Sequence, residues 1–481
     1  MQFSRRDALC PVIAAGMSVT AAASAIAQGG LPIADTILNV KAFGAKGDGV
    51  ADDTAAIQAA VNECFGTRLS PHSWPKAHTN RPLFFPAGLY RTTASIDLTD
   101  IRGAHIFGAG RFDTTIINSA GKSVFRTNGF EYCRVEMMRL TSEGRSADVF
   151  DLDWTGGGKT ALQSNTFADM FFDGGAVGVN IGKSGFMGSE NLFINCFYGP
   201  CSVAGIKTSN FNALQNTMLG GNIQSCSIGL WVFRGSFSVY NTGFQESGTC
   251  DIKIDNSAND TTVISGARSE SPSFVRLRNG VTAHIVGCAH LSANKGIFAE
   301  IDSCPAVIDS CVSLGGALKG SGSVLISNSS FGRADWLDAD SIRAGSYELR
   351  NCYVGGTQNS NKDSAKFIER KTMKASGSER QIYRRSIILQ VGSNAASMTI
   401  AAGTRIQRIS LVIDKPASSG TLQVGDRADA VRFFDGAKLS GGTIISPVIE
   451  RKYEAADLLT VKWTGAEDVI GHVAVDLVDE S

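Results

Sequence analysis

Three side chains near the middle of the chain have the types and spacing for proton-transfer chemistry: Glu246, Arg268 and Glu270. They follow or close two short strand-like runs, residues 239–244 and 263–268. If those runs stack as neighbouring strands, alternation of side chains brings both glutamates out on one face with Arg268 beside them. Two carboxylates held close repel, raising the pKa of one, while a guanidinium favours ionisation of the other. Glycoside cleavage uses that division into acid and base, with a short carboxylate separation favouring retention and a longer one inversion. A Glu-Arg-Glu ladder that only pairs charges on an exposed sheet is the other reading of the same residues.

Further candidates surround this set. Asp173 and Tyr240 are candidate substrate-binding groups, and Trp231, Lys253 and Arg276 form a second outward strip, where a ring stacks on a sugar face and cations bind carboxylates. Asp169 shares a position with Asn195 and reads as a buried polar cap to a turn. His290 sits at inward parity near a turn, read as structural or as a base. His72, Trp74 and His78 lie in a loop over residues 66–81 that either closes over a ligand or covers the first rungs.

What must position these groups is a repeat of about 22 residues. Met170, Cys196, Asn222, Gly243, Ala267, Cys288, Cys311, Ser329 and Cys352 fall in one column with steps of 26, 26, 21, 24, 21, 23, 18 and 23. Small residues recur in it, as stacking inside a narrow coil requires. With the column inward, Phe197, Ile223, Phe244, Arg268, Ala289 and Val312 one place on face out, as do Asp173, Gly199, Ser225, Glu246, Glu270 and Leu291 three places on. No helical period follows residue 65, which excludes an alternating α/β fold.

The start of the repeat region, residues 38–61, reads as a short strand, a Gly-rich turn and a helix. Asp52 or Asp53 suits the N-cap, and Ala56, Ile57, Ala60 and Val61 make an apolar stripe that can plug the open end of a solenoid. This segment, with Phe84-Phe85-Pro86-Ala87-Gly88-Leu89-Tyr90 and Ile106-Phe107-Gly108-Ala109-Gly110 after it, resembles the N-terminal signature of the pectate-lyase-like β-helix superfamily, which includes pectinolytic enzymes and phage tailspike depolymerases. The resemblance covers residues 38–118 and implies an all-β right-handed parallel β-helix, a polysaccharide partner and, as in several members, a homotrimer. The polygalacturonase pattern is absent: Asn165-Thr166 is followed by Phe167, and no Gly-His-Gly occurs. The calcium and arginine signature of the pectate lyases is not evident, so no catalytic residue carries over.

Residues 1–27 read as an export leader. Arg5 and Arg6 resemble the twin-arginine signal, an apolar run follows, and Ala25-Ile26-Ala27 closes it, which implies a bacterial periplasmic or secreted protein. The whole chain has 45 basic and 45 acidic residues, and nothing in that balance points to nucleic acid or to membrane insertion. The ten cysteines beyond the leader show no paired zinc spacing and read as buried thiols, although Cys288 and Cys311 are close enough in the stack for a disulfide. The expected organisation is a leader over 1–27, a β-helix with its capping helix over 28–360, a linker over 361–380 and a small β-sandwich over 381–481. The leading functional expectation is a glycoside hydrolase. A β-eliminating lyase on a uronate polymer, with Arg268 and His290 or Tyr240 and with calcium as a conceivable requirement, is the second. A non-catalytic glycan-binding β-helix is the third. No cofactor is expected for the hydrolase.

Overall fold

The computed structural model describes residues 37–65, 80–156, 160–255, 261–292, 296–333, 336–337, 346–354, 366–374, 381–389, 395–415, 420–438, 442–445, 451–465 and 470–479. The loop carrying His72, Trp74 and His78, and the leader, lie outside them. Each rung of the coil has three main strands that pair in parallel with the same strands of the rungs before and after. First strands run from Leu38–Asn39 to the start of Ser346–Val354, and second strands from Asp48–Asp52 to the end of that same long strand. Third strands form a ten-stranded sheet from Ile96–Asp97 to Gly316–Lys319. The expected right-handed parallel β-helix is therefore the fold.

A single left-handed residue turns the chain between first and second strands: Asp169 at φ 51°, Asn195 at 49°, Asn241 at 52° and Asn328 at 50°. Asn and Asp tolerate that region because their short polar side chains bond locally, which is why the corner is rich in them. The helix Thr54–Phe65 closes the first rung, with Ile57, Ala60 and Val61 joining the solenoid's continuous apolar core. Its two preceding acids divide their work. Asp52 accepts from the Thr54 amide at 3.1 Å, whereas buried Asp53 ties down the preceding turn through the Lys46 and Gly47 amides at 2.6 and 3.0 Å.

The register corrects the repeat at two positions. Asn222 and Gly243 are level with Phe197 and Arg268, one place beyond the inward column, so the column runs through Gly221 and Thr242 instead. Gly221 offers no side chain to mark the column, and a one-residue slip exchanges the two faces of a strand. Ile223 and Phe244, expected outside, are completely buried.

Inside the coil, bulk is traded between strands. Gly178, Gly205 and Gly229 on third strands leave room for Tyr198, Ile223 and Phe244: a Cβ there would meet those side chains at 3.1, 2.7 and 3.0 Å. Further along, the large groups are Phe274 and Phe298 on third strands, set against His290 and Ser313. The change-over falls at Asp251, which accepts from Ser269 at 2.5 Å inside the coil. All ten cysteines of the described residues are buried free thiols, so the disulfide considered for Cys288 and Cys311 is not formed. The Cys288 amide instead donates to the Cys311 sulfur at 3.4 Å.

Strand Lys366–Lys374, inside the stretch expected as linker, pairs antiparallel with Ser346–Val354. Two antiparallel sheets of five and four strands follow, and their buried residues, including Ile409, Leu422, Trp463 and Val475, form one core, as a small β-sandwich requires. No helix among the described residues is long and apolar enough to cross a membrane.

Burial pushes the Asp251 carboxyl up to about 6 against the opposing serine hydrogen bonds, from an ordinary 3.8. Protonation therefore favours the folded chain: the stabilisation is complete below 3.8 and is lost as pH rises through about 6. Asp251→Asn is expected to raise stability by about 2–3 kcal/mol near pH 8, with no gain near pH 3. Urea unfolding at both pH values checks it; equal effects at both would contradict the assignment.

Candidate functional site

The structure separates the glutamates that the repeat seemed to join. Arg268 and Glu270 pair at 2.6 Å on an exposed second strand. Phe244 is level with Ser269, so the neighbour of Glu270 on the preceding rung is Gln245. Glu246 lies one place further, at φ 55° in a turn, where it accepts from Ser225 at 2.7 Å. No acid-and-base pair forms there.

The other candidates scatter over three faces. Asp173 is buried, held by Arg139 at 3.1 and 2.5 Å and by Thr141 at 2.6 Å, which leaves little of it for a ligand. Asp169 sits at a turn as expected but is 48% exposed rather than buried, accepting from Arg111 at 2.9 Å and Asn195 at 2.6 Å. Tyr240 faces outward on a first strand between Leu219 and Ser265. His290 is fully buried between Ser271 and Ser313, at 2.9 and 3.2 Å, and burial holds its pKa below the ordinary value. It is a neutral structural residue out of reach of a substrate.

Trp231, Lys253 and Arg276 do share one outward column, the register running through Asn180, Lys207, Trp231, Lys253, Arg276 and Glu300 on successive third strands. Yet the indole is already engaged. Lys207 and Lys253, on the rungs to either side, sit 4.4 and 4.6 Å from its ring centroid, and its N–H donates to Asp255 at 2.8 Å. Ammonium groups over an indole gain from its quadrupole, and here they occupy the surfaces a sugar would need. Lys253 also pairs with Asp255, and Arg276 with Glu300.

A cluster of aspartates and lysines lies at the upper end of this column and was missed. Strand Phe150–Leu152 points Phe150 and Leu152 into the core, which turns Asp151 outward, with Asp148 and Asp153 flanking it. Asp148 accepts from Asn180 at 2.9 Å and pairs with Lys183 at 3.1 Å. Asp153 accepts from the amide and hydroxyl of Ser184. One oxygen of Asp151 is buried with no hydrogen-bond partner. Burial pushes its carboxyl up to about 6, Asp148 and Asp153 add to the rise, and Lys183 and Arg126 oppose it. Lys183 is held above the ordinary lysine value because the three aspartates outweigh its own burial. Burial lowers Lys207, assisted by Lys183 and Lys253 and opposed by Asp148. Within one patch, then, a proton-holding carboxyl adjoins a lysine-paired carboxylate, the arrangement that acid-base catalysis needs. The column alignment began at Met170, one rung later; the Asp-x-x-Asp-x-Asp spacing of 148–153 was the available signal. Among the described residues no group of three His, Cys, Asp or Glu side chains is arranged to hold a metal ion.

Comparison with known proteins supports the early resemblance. Residues 37–132 match the family model described as rhamnogalacturonase A/epimerase, pectate lyase-like. The mannuronan C5-epimerase AlgE2 of Azotobacter vinelandii is 41% identical over 83 residues, 16% of this chain and 7% of its own length. The non-secreted LysM effector LysM19 of Penicillium expansum is 27% identical over 253 residues, 43% of this chain and 19% of its own. The chain thus spans less than a fifth of either relative. Among solved structures, the tailspike protein gp49 of Acinetobacter baumannii bacteriophage Fri1, a capsular polysaccharide depolymerase, aligns over 93% of this chain and 86% of its own with a TM-score of 0.44 and 11% identity.

The charges around Asp151 make opposite demands on it, and each can be removed separately. Lys183→Met is expected to raise the Asp151 midpoint above about 6, and Asp148→Asn to lower it. Carboxyl carbon NMR, with Asp151→Asn identifying the signal, reads both. Shifts of the same sign would show that Asp151 does not sense these neighbours.

Proposed function

Starting from first rungs that match the pectate-lyase-like family model and a fold that is that superfamily's parallel β-helix, we propose that this chain is a polysaccharide-degrading enzyme. The specific reading is a glycoside hydrolase whose acid is Asp151 and whose carboxylate partner is Asp148. The carrying observation is the outward Asp151 carboxyl, pushed up to about 6 among Asp148, Asp153 and Lys183. A carboxyl still half-protonated near pH 6 can deliver its proton to a glycosidic oxygen. Asp148, buried and held by Asn180 and Lys183, acts from beneath Asp151 through its charge on the oxocarbenium-like centre. The relative named as a mannuronan C5-epimerase supports the substrate class. Export through the leader, a periplasmic or secreted location and a homotrimeric assembly belong to the same proposal, resting on the sequence and the resemblance.

One observation favours a second reading. Burial lowers the proton affinity of Lys207, the direction a base requires, and Lys183 and Lys253 beside it are cations able to neutralise a uronate carboxylate. β-Elimination on a uronate polymer needs both, and a calcium requirement would belong to this reading.

Incubation with neutral and acidic polysaccharides separates them. The hydrolase reading expects new reducing ends without the ultraviolet absorbance of unsaturated uronates, and activity that falls as pH rises through about 6. Asp151→Asn should lower kcat at least ~100-fold without destabilising the fold, because it removes a carboxyl that burial penalises when charged. Absorbing products would replace hydrolysis by elimination, and full activity in Asp151→Asn would remove the site.

A further inference from the structure

Four successive third strands lead into loops that carry aromatic rings: Trp154 after Phe150–Leu152, Phe186 after Val177–Ile181, Phe211 after Ala204–Thr208 and Phe233 after Ile228–Val232. Three of these rings stand in solvent, Phe186 at 56%, Phe211 at 65% and Phe233 at 39% exposure. Trp154 is half-buried and meets Phe186 edge-on at 6.0 Å, forming the upper end of the row. At a strand spacing of ~4.8 Å, four rungs make a ridge about 15 Å long. The rings stand at different offsets beyond the strand ends, on loops of adjacent rungs, and exposed apolar rings clustered on one side of a surface suit a contact site.

Closing the turn does not require the rings. On the following rungs the place of Phe233 is taken by Asp255, Arg278 and Asp302, whose backbones make the same inter-rung hydrogen bond. The ring-bearing loops are nonetheless built to present them. Gly156, at φ 83°, leaves space for Phe186, since a Cβ there would meet the ring at 2.9 Å. Asn210 donates to the Gly182 carbonyl at 2.8 Å, and Asn212 to the Phe186 carbonyl at 3.2 Å, so each loop braces its neighbour. Rings held by an ordered backbone lose little freedom when a ligand arrives.

The ridge is continuous with the carboxylate site. One loop carries both Lys183, which pairs with Asp148, and Phe186. Lys207 and Arg234 lie 5.4 and 5.6 Å from the Phe233 ring. Apolar faces thus adjoin cations and amides across successive rungs, a pattern suited to a chain of sugars with apolar faces and polar rims. The charge interleaved with the rings is what the centre of a protein–protein contact usually lacks.

We infer that these loops form a glycan track: a polysaccharide crosses successive rungs, with sugar faces on Phe186 and Phe211 and polar groups on Lys183 and Arg234. The track rests on the polysaccharide reading above and adds the direction of the bound chain and the residues that grip it away from the reacting bond.

Affinity electrophoresis in gels containing mannuronan, polygalacturonate or a neutral β-glucan tests it, using full-length Asp151→Asn so that the polymer persists. Adding Phe186→Ala and Phe211→Ala together should weaken retention about tenfold or more without changing the unfolding temperature. Unchanged retention in the combined variant overturns the track and leaves the carboxylate site standing. If the combined variant instead sediments as a smaller species with retention unaltered, the rings are a contact between copies and the track is wrong. Absence of retention on all three polymers before the rings are removed overturns the track and the polysaccharide reading together for those sugars, whereas cleavage of a retained polymer by the parent chain keeps the reading separate.

Discussion

The level stacking of parallel strands, each rung set on the one before, is the constraint on which the rest of the molecule depends. Once a residue is paired with its counterparts, the face it occupies is decided for the whole column. Inward positions then have to share one narrow interior, and they do so by exchanging bulk between second and third strands rather than by repeating one residue. Glycines accommodate Tyr198 and Phe244; later, Phe274 and Phe298 occupy the third strand and His290 the second. Asp251 at the change-over shows that this interior admits a buried acid when serines answer it.

The same stacking makes outward columns into continuous strips, and their chemistry differs by face. The second strands carry local pairs such as Arg268 with Glu270 and Arg139 with Asp173, each satisfied within itself. The third strands carry a graded series, acids at Asp148–Asp153, then lysines around Trp231, then Arg276 and Glu300. Only in the acidic part does burial leave an outward carboxyl holding its proton toward neutrality with an unpartnered oxygen. Aromatic loops project beside that part of the strip and give way to charged residues below it. Reactive groups and an extended binding surface therefore coincide on one side of the solenoid.

Much of the architecture was legible in the sequence because small and apolar residues recur with the rung. The β-helix and the column through Trp231, Lys253 and Arg276 follow from that periodicity, while the capping helix shows in its own apolar stripe and the C-terminal sheets in strand-like runs beyond the repeat. The site was harder to read, because a face depends on register to a single residue. At Gly221 no side chain marks the interior, so the alignment slipped onto Asn222 and, one rung later, onto Gly243; Phe244 then seemed exposed and Glu246 seemed to stack on Glu270. Burial was also invisible: the lysines flanking Trp231, and the partners that enclose Asp173 and His290, come from other rungs. Asp151 is raised by burial and opposed by Lys183 of the next rung, neither of which its neighbours in sequence disclose.

The central claim is that a glycan meets the third-strand face at Asp151 and the lysines beside it. Hydrogen exchange of full-length Asp151→Asn, with and without a polysaccharide that retards it in a gel, measures this most directly. The account predicts slowed exchange in segments 148–154, 180–188, 205–213 and 228–235. Slowing confined to the second-strand segment around Arg268 and Glu270 would contradict it.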